Sequence, residues 1–138
     1  MTSIRISRRI LALLMVSALV VTACGDDDSD EPIRFGDGEI PASVPDDFPV
    51  PANAVIGTTL VDRVNNKTEF AMVVPADLVS VVQFYTVGLV NQGYVVDRSE
   101  GSLDNWTVEF RQGTDISGLV IVSPQGEFSH AVVTVNSS

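Results

Sequence analysis

The segment Asn105–Arg111, NWTVEFR, alternates without a break: Trp106, Val108 and Phe110 share one parity, while Thr107, Glu109 and Arg111 share the other. Successive side chains of a strand point to opposite faces, so this period of two describes a strand with one buried face and one wet face. Such a strand is not stable alone. It requires neighbours to satisfy its backbone and a second element to cover its apolar parity. The rest of the chain is read for those partners.

Upstream, Val55–Val61 is rich in branched residues, and TEFAMVV (68–74) places Phe70, Met72 and Val74 on one face. Between them RVNNK (63–67) carries adjacent asparagines, a turn signal, so the two segments are expected to pair as a hairpin. The period then changes. Leu78, Val81, Val82, Tyr85 and Leu89 recur at helical spacing, which predicts a helix over roughly 76–92. Asp77 suits its positive end, and Gly93 suits the left-handed residue that terminates it. YVVDR (94–98), NWTVEFR, GLVIVS (118–123) and FSHAVVTV (128–135) follow as strands, the last two flanking a turn at Pro124–Gly126. The expected order is ββαββββ. The expected fold class is α+β, with one helix packed on an antiparallel sheet in two layers.

One strand fits this scheme imperfectly. Leu119–Val122, LVIV, is apolar at every position, although one helix covers one face of a sheet. Either the chain's own linker or neighbouring side chains cover the second face, or Val120 and Val122 are candidate contacts to a second copy or a partner. Tyr85 and Trp106 are candidates for lining a small apolar ligand between helix and sheet, against the competing reading that both rings simply pack the core.

The N-terminus has a different organisation. MTSIRISRR is basic, Ile10–Val21 is apolar and Thr22–Cys24 is small, which is the layout of a secretory signal segment. About twelve apolar residues fall short of the roughly 20 that span a bilayer as a helix. Cys24 is the only cysteine of the 138 residues, so it forms no internal disulfide and no cysteine-based zinc cluster. The following stretch, Gly25–Asp47, is rich in Asp, Gly and Pro and lacks any period; it reads as a disordered acidic tether. The run DDDSDE lacks the spaced ligands, turn glycine and closing glutamate of a calcium loop and is read as a solvated spacer. About 24 residues of flexible coil would reach roughly 27 Å.

The Val21-Thr22-Ala23-Cys24 sequence resembles the lipobox of bacterial prolipoproteins. The resemblance implies that the Cys24 thiol receives a diacylglyceryl group and that the chain is cut before it, making Cys24 the first mature residue. VPDDFPVPANA (44–54) together with FYTVGLVNQGYVVD (84–97) resembles a small domain of functionally uncharacterised actinobacterial lipoproteins. These motifs are packing and turn features, and they carry no catalytic residue across. The expected organisation is thus a signal peptide over 1–23, a lipidated cysteine and tether over 24–47, and a small α+β domain over 48–138.

The formal charge of −10 with eight Lys and Arg disfavours nucleic acid, and three of those eight, Arg5, Arg8 and Arg9, precede the apolar segment. His130 is the lone histidine. Its parity opposes Ala131, Val133 and Val135, which places it outward on a strand, and no nucleophile motif, second histidine or metal spacing accompanies it. Neither a cofactor nor a metal site is expected. The expected function is a non-enzymatic binding or interaction module of the cell envelope, held through diacylglyceryl on Cys24 at the extracytoplasmic face of the membrane, with an envelope protein or cell-wall partner. The alternative is a carrier or sensor of a small apolar ligand; a hydrolase built on His130 is the weakest reading.

Overall fold

The computed structural model describes residues 31–138; the stretch read as a signal segment, Cys24 and the acids Asp26 to Asp30 lie outside the described residues. The chain forms seven strands and one helix: β1 (Ile33–Asp37), β2 (Val55–Asp62), β3 (Lys67–Val74), α1 (Leu78–Asn91), β4 (Val95–Ser102), β5 (Asn105–Gln112), β6 (Ile116–Gln125) and β7 (Phe128–Ser137). One sheet holds all seven strands in the order β1-β2-β3-β7-β6-β5-β4, and every neighbouring pair is antiparallel. Chain order is therefore three strands, the helix, then a four-strand meander whose last member, β7, closes against β3.

This corrects the expected fold class. The order is βββαββββ rather than ββαββββ, and the molecule is dominated by a seven-stranded antiparallel sheet with one short helix, not built as a two-layer α+β packing. The added strand lies in the stretch read as tether. Ile33–Asp37 pairs with Asp62–Thr58 of β2, while all five of its residues stay exposed. Pairing of this kind uses backbone groups that every residue supplies, so no hydrophobic pattern announces it. The tether boundary expected at Asp47 is corrected with it.

The core lies on one face of the sheet. Phe70, Met72 and Val74 of β3, Val108 and Phe110 of β5, Val120 and Val122 of β6, and Ala131, Val133 and Val135 of β7 are all buried there. The helix brings Leu78, Val81, Tyr85 and Leu89 onto this face, as its spacing predicts. It is too short to cover seven strands. The segment between β1 and β2 fills the remainder, placing Val44 and Phe48 in the same core. Tyr94 donates a hydrogen bond to Asp47 Oδ1 at 2.8 Å and the Gln112 amide donates to Asp47 Oδ2 at 3.2 Å, which ties this segment to β4 and β5.

Local signals behave as the sequence predicts. The Tyr94 N–H donates to the Leu89 carbonyl at 2.9 Å as Gly93 turns the backbone to φ +86°, a conformation that favours glycine. At the other end the Asp77 carboxylate accepts from the Ser80 N–H at 2.7 Å. That hydrogen bond holds the Asp77 carboxyl below the usual carboxylate range. The cap therefore stabilises the fold fully at neutral pH and fades as the pH falls below that range, where the carboxyl takes up a proton. Asp77→Ala is expected to lower the melting temperature at pH 7, and Asp77→Asn, which keeps the acceptor, to lower it less. Thermal melts followed by circular dichroism at pH 7 and pH 3 check this: the gap between wild type and Asp77→Ala should narrow at the lower pH.

Candidate functional site

The face of the sheet opposite the core is open among the described residues. Register fixes what it displays. Leu60, Glu69, Thr134 and Leu119 lie side by side across β2, β3, β7 and β6, with Phe35 flanking Leu60 from β1. The next row places Ala71, Val132, Ile121 and Thr107 together, and the row beyond it Val55, Val73, His130 and Ser123. Leu60, Ala71, Val73, Val132, Leu119 and Ile121 are half-buried by their own neighbours, whereas Val55 is 67% and Phe35 77% exposed. From strand and row spacings the apolar part covers on the order of 400 Å². That matches the largest patch of an ordinary monomer, a size that is often functional.

Ion pairs flank this patch. Arg98 on β4 reaches Glu100 and, across to β5, Glu109, both at 3.1 Å, while Arg111 meets Asp97 at 3.0 Å and Lys67 meets Glu69 at 3.1 Å. The hydrogen bond that Arg98 donates to the Glu100 carboxylate, with Glu109 nearby, pushes the Arg98 guanidinium above its ordinary value. Exposed pairs like these contribute little stability. The Arg98 and Arg111 pairs give the apolar patch a charged margin along the β4–β5 side, the distribution found at protein–protein contacts, while Lys67–Glu69 lies on β3 between Leu60 and Thr134.

The residues singled out from sequence fall differently. Val120 and Val122 have no exposed surface, because their register with Val133 and Ala131 puts them under the helix; as partner contacts they are corrected. The same strand presents Leu119 and Ile121 to the open side instead. Tyr85 is likewise fully buried, with ring centroids 5.1 Å from Phe84 and 6.0 Å from Phe48 and its hydroxyl 3.7 Å from Met72 Sδ. Burial pushes its phenol far above the ordinary value, so it stays neutral. Trp106 is half-buried on the core face and donates from Nε1 to Ser99 Oγ at 2.9 Å. Neither of the two clefts described below is lined by Tyr85 or Trp106. His130 lies on the open face between Val73 and Ser123, so its register supplies no carboxylate to orient an imidazole. Among the described residues no cluster of His, Cys, Asp and Glu is arranged to hold a metal ion. Cys24 lies outside the described residues.

A polar cleft of about 470 Å³ opens on the core side of the sheet, where Glu39–Ser43 passes over β1, β2 and the start of β3. Ser43 and Thr68 share a hydroxyl hydrogen bond of 2.6 Å at its wall. Arg34, Arg63 and Lys67 line it together with Asp37, Glu39 and Asp62. Hydrogen bonds from Asn65 hold the Asp62 carboxyl below its ordinary value, so it remains an anion there. The mixed charge gives the cleft hydrogen-bonding capacity and no preference for one sign of ligand. A second cleft, of about 460 Å³, lies between Asp46–Val50 and the C-terminal half of α1.

Sequence reasoning missed Phe35, Leu60, Val73, Val132, Leu119 and Ile121 as one surface. The doubly apolar LVIV run was the available signal, but only the register with β5 and β7 tells which parity is left uncovered. Comparison with protein-family models, with curated proteins and with solved structures returns no match, so the functional reading rests on the residues and their geometry.

Proposed function

We propose that this chain is a cell-envelope lipoprotein, anchored through diacylglyceryl on Cys24 at the extracytoplasmic face of the membrane, whose domain is a non-enzymatic module for contacting a protein. The single observation that carries the module reading is the uncovered sheet face, with its apolar centre of Leu60, Ala71, Val73, Val132, Leu119 and Ile121 beside the Arg98–Glu109 and Arg111–Asp97 pairs. A protein suits it better than a wall glycan. Glycans are gripped by polar groups and stacking rings, and here the aromatic residues Phe35 and Phe128 stand at the margins of the face. A patch of this size fits a transient contact, since stable interfaces bury roughly 1,200–2,000 Å² in total.

The lipid anchor is supported by the Val21–Cys24 sequence alone, and intact-mass measurement of the mature chain tests it. The module reading is tested by a photo-crosslinking residue at Ile121 or, as a control on the exposed side of α1, at Val79. In the native envelope Ile121 should give a discrete protein adduct that Leu119→Glu abolishes, and Val79 should give none. Equal adducts from both positions, or turnover of an envelope substrate lost on a single side-chain change, would overturn it.

A further inference from the structure

The structure shortens the chain between lipid and domain. If Cys24 carries the lipid, only eight peptide units separate it from Pro32, immediately before β1, rather than the two dozen residues expected from sequence. Fully extended, they span at most about 28 Å. The first residues of β1 therefore stay within that distance of the headgroups whatever the tether's conformation. The part of the domain next to that point has a distinctive surface. Ile33 and Phe35 on β1 are 48% and 77% exposed, and Val64 at the β2–β3 turn is 70% exposed. The Arg63 N–H donates to the Pro32 carbonyl at 2.8 Å, which fixes this turn beside the point where the tether joins β1. Three of the five basic residues after Cys24, Arg34, Arg63 and Lys67, gather at the same corner; the other two, Arg98 and Arg111, lie toward the far edge on β4 and β5.

We propose that this corner, Ile33, Phe35 and Val64 with Arg34, Arg63 and Lys67, rests on the lipid surface and sets the orientation of the domain. The proposal rests on lipidation of Cys24. Exposed apolar side chains with long Arg and Lys stems among them are able to settle at a headgroup boundary. The three basic residues share this corner with Asp37, Glu39, Asp62 and Glu69, so it carries no net positive charge. The apolar side chains carry the contact, so docking does not require anionic lipid. Lying on the membrane also shields the outer edge of β1, a short strand with exposed side chains at the end of the sheet, from pairing with another chain.

The test uses the full lipidated chain in phosphatidylcholine vesicles containing spin-labelled lipid. A thioether at Cys24 leaves an introduced cysteine as the only thiol, so Asn65→Cys at the corner and Leu103→Cys at the β4–β5 turn each take one environment-sensitive dye. Quenching at position 65 is expected to exceed that at 103 about threefold or more, and Phe35→Ser with Val64→Ser should bring it down to the level at 103. Both serine positions are exposed, and circular dichroism confirms the fold. Equal quenching at the two ends, or strong quenching at 65 that survives the double substitution, would overturn the docking while leaving the anchor intact. Mass spectrometry of the same sample separates the other failure: an unacylated Cys24 overturns the lipoprotein reading, and the docking with it.

Discussion

Replacing Phe48 by alanine is expected to cost about 3–5 kcal/mol, a large share of the stability of a domain this size. Phe48 precedes every element expected to form the core, yet it is 6% exposed and stands at its centre. Its ring centroid lies 6.1 Å from Phe70 on β3, 6.0 Å from Tyr85 on α1, 6.1 Å from Tyr94 before β4 and 5.5 Å from Phe110 on β5. The contacts with Phe70 and Tyr94 are edge-on, at interplanar angles of 87° and 85°, the favourable geometry for aromatic quadrupoles. Truncation would leave a cavity bordered by four rings from four parts of the chain, and rings held on separate elements cannot all collapse into it. Denaturant unfolding of the variant measures the loss. Phe48→Leu, which keeps most of the volume, should lose less than about half as much. A cost below about 1 kcal/mol for the alanine variant would mean that the segment between β1 and β2 is not part of the cooperative core.

Gly118→Ala is expected to be nearly as damaging, at about 3 kcal/mol or more, although it adds one methyl group. Gly118 sits in the middle of the sheet on β6, paired with Phe110 on one side and Val135 on the other. A Cβ at this position would lie 2.1 Å from the Thr134 carbonyl oxygen and 2.7 Å from Phe110 Cζ. The first is backbone of a central strand, so relief requires β7 to move against β6. The second is a buried ring, 2% exposed and already in contact with Phe48 and Tyr94. Neither neighbour has room to retreat. Guanidinium unfolding of Gly118→Ala and the chemical shift of Phe110 report the two displacements separately. A variant as stable as wild type would show that β6 and β7 slide past one another freely, contrary to the close approach described.

Much of the fold was legible. The helix spacing of Leu78, Val81, Tyr85 and Leu89, the parity of Phe70, Met72 and Val74, and that of Trp106, Val108 and Phe110 all report local geometry, and local geometry is written in side-chain period. Gly93 and Asp77 mark the helix ends for the same reason. β1 was not legible because its partner recognises its backbone, and backbone is the part of the chain that sequence does not vary.

The candidate site shows the same division. That LVIV has one apolar parity too many for a single helix can be read from four letters. Which parity stays uncovered cannot, because both are apolar and only the pairing of Val120 with Val108 and Val133 decides that Leu119 and Ile121 face outward. By itself the sequence determined six of the seven strands, the helix with its caps, and the place of the cysteine at the end of the apolar run, since each depends on residues adjacent in the chain. Only the tertiary structure decided that the acidic stretch contains a strand, that Phe48 joins the core and that one sheet face is left open. Each of these is set by contacts between residues far apart in sequence, and the free energy of such contacts is a property of the assembled pair rather than of either partner alone.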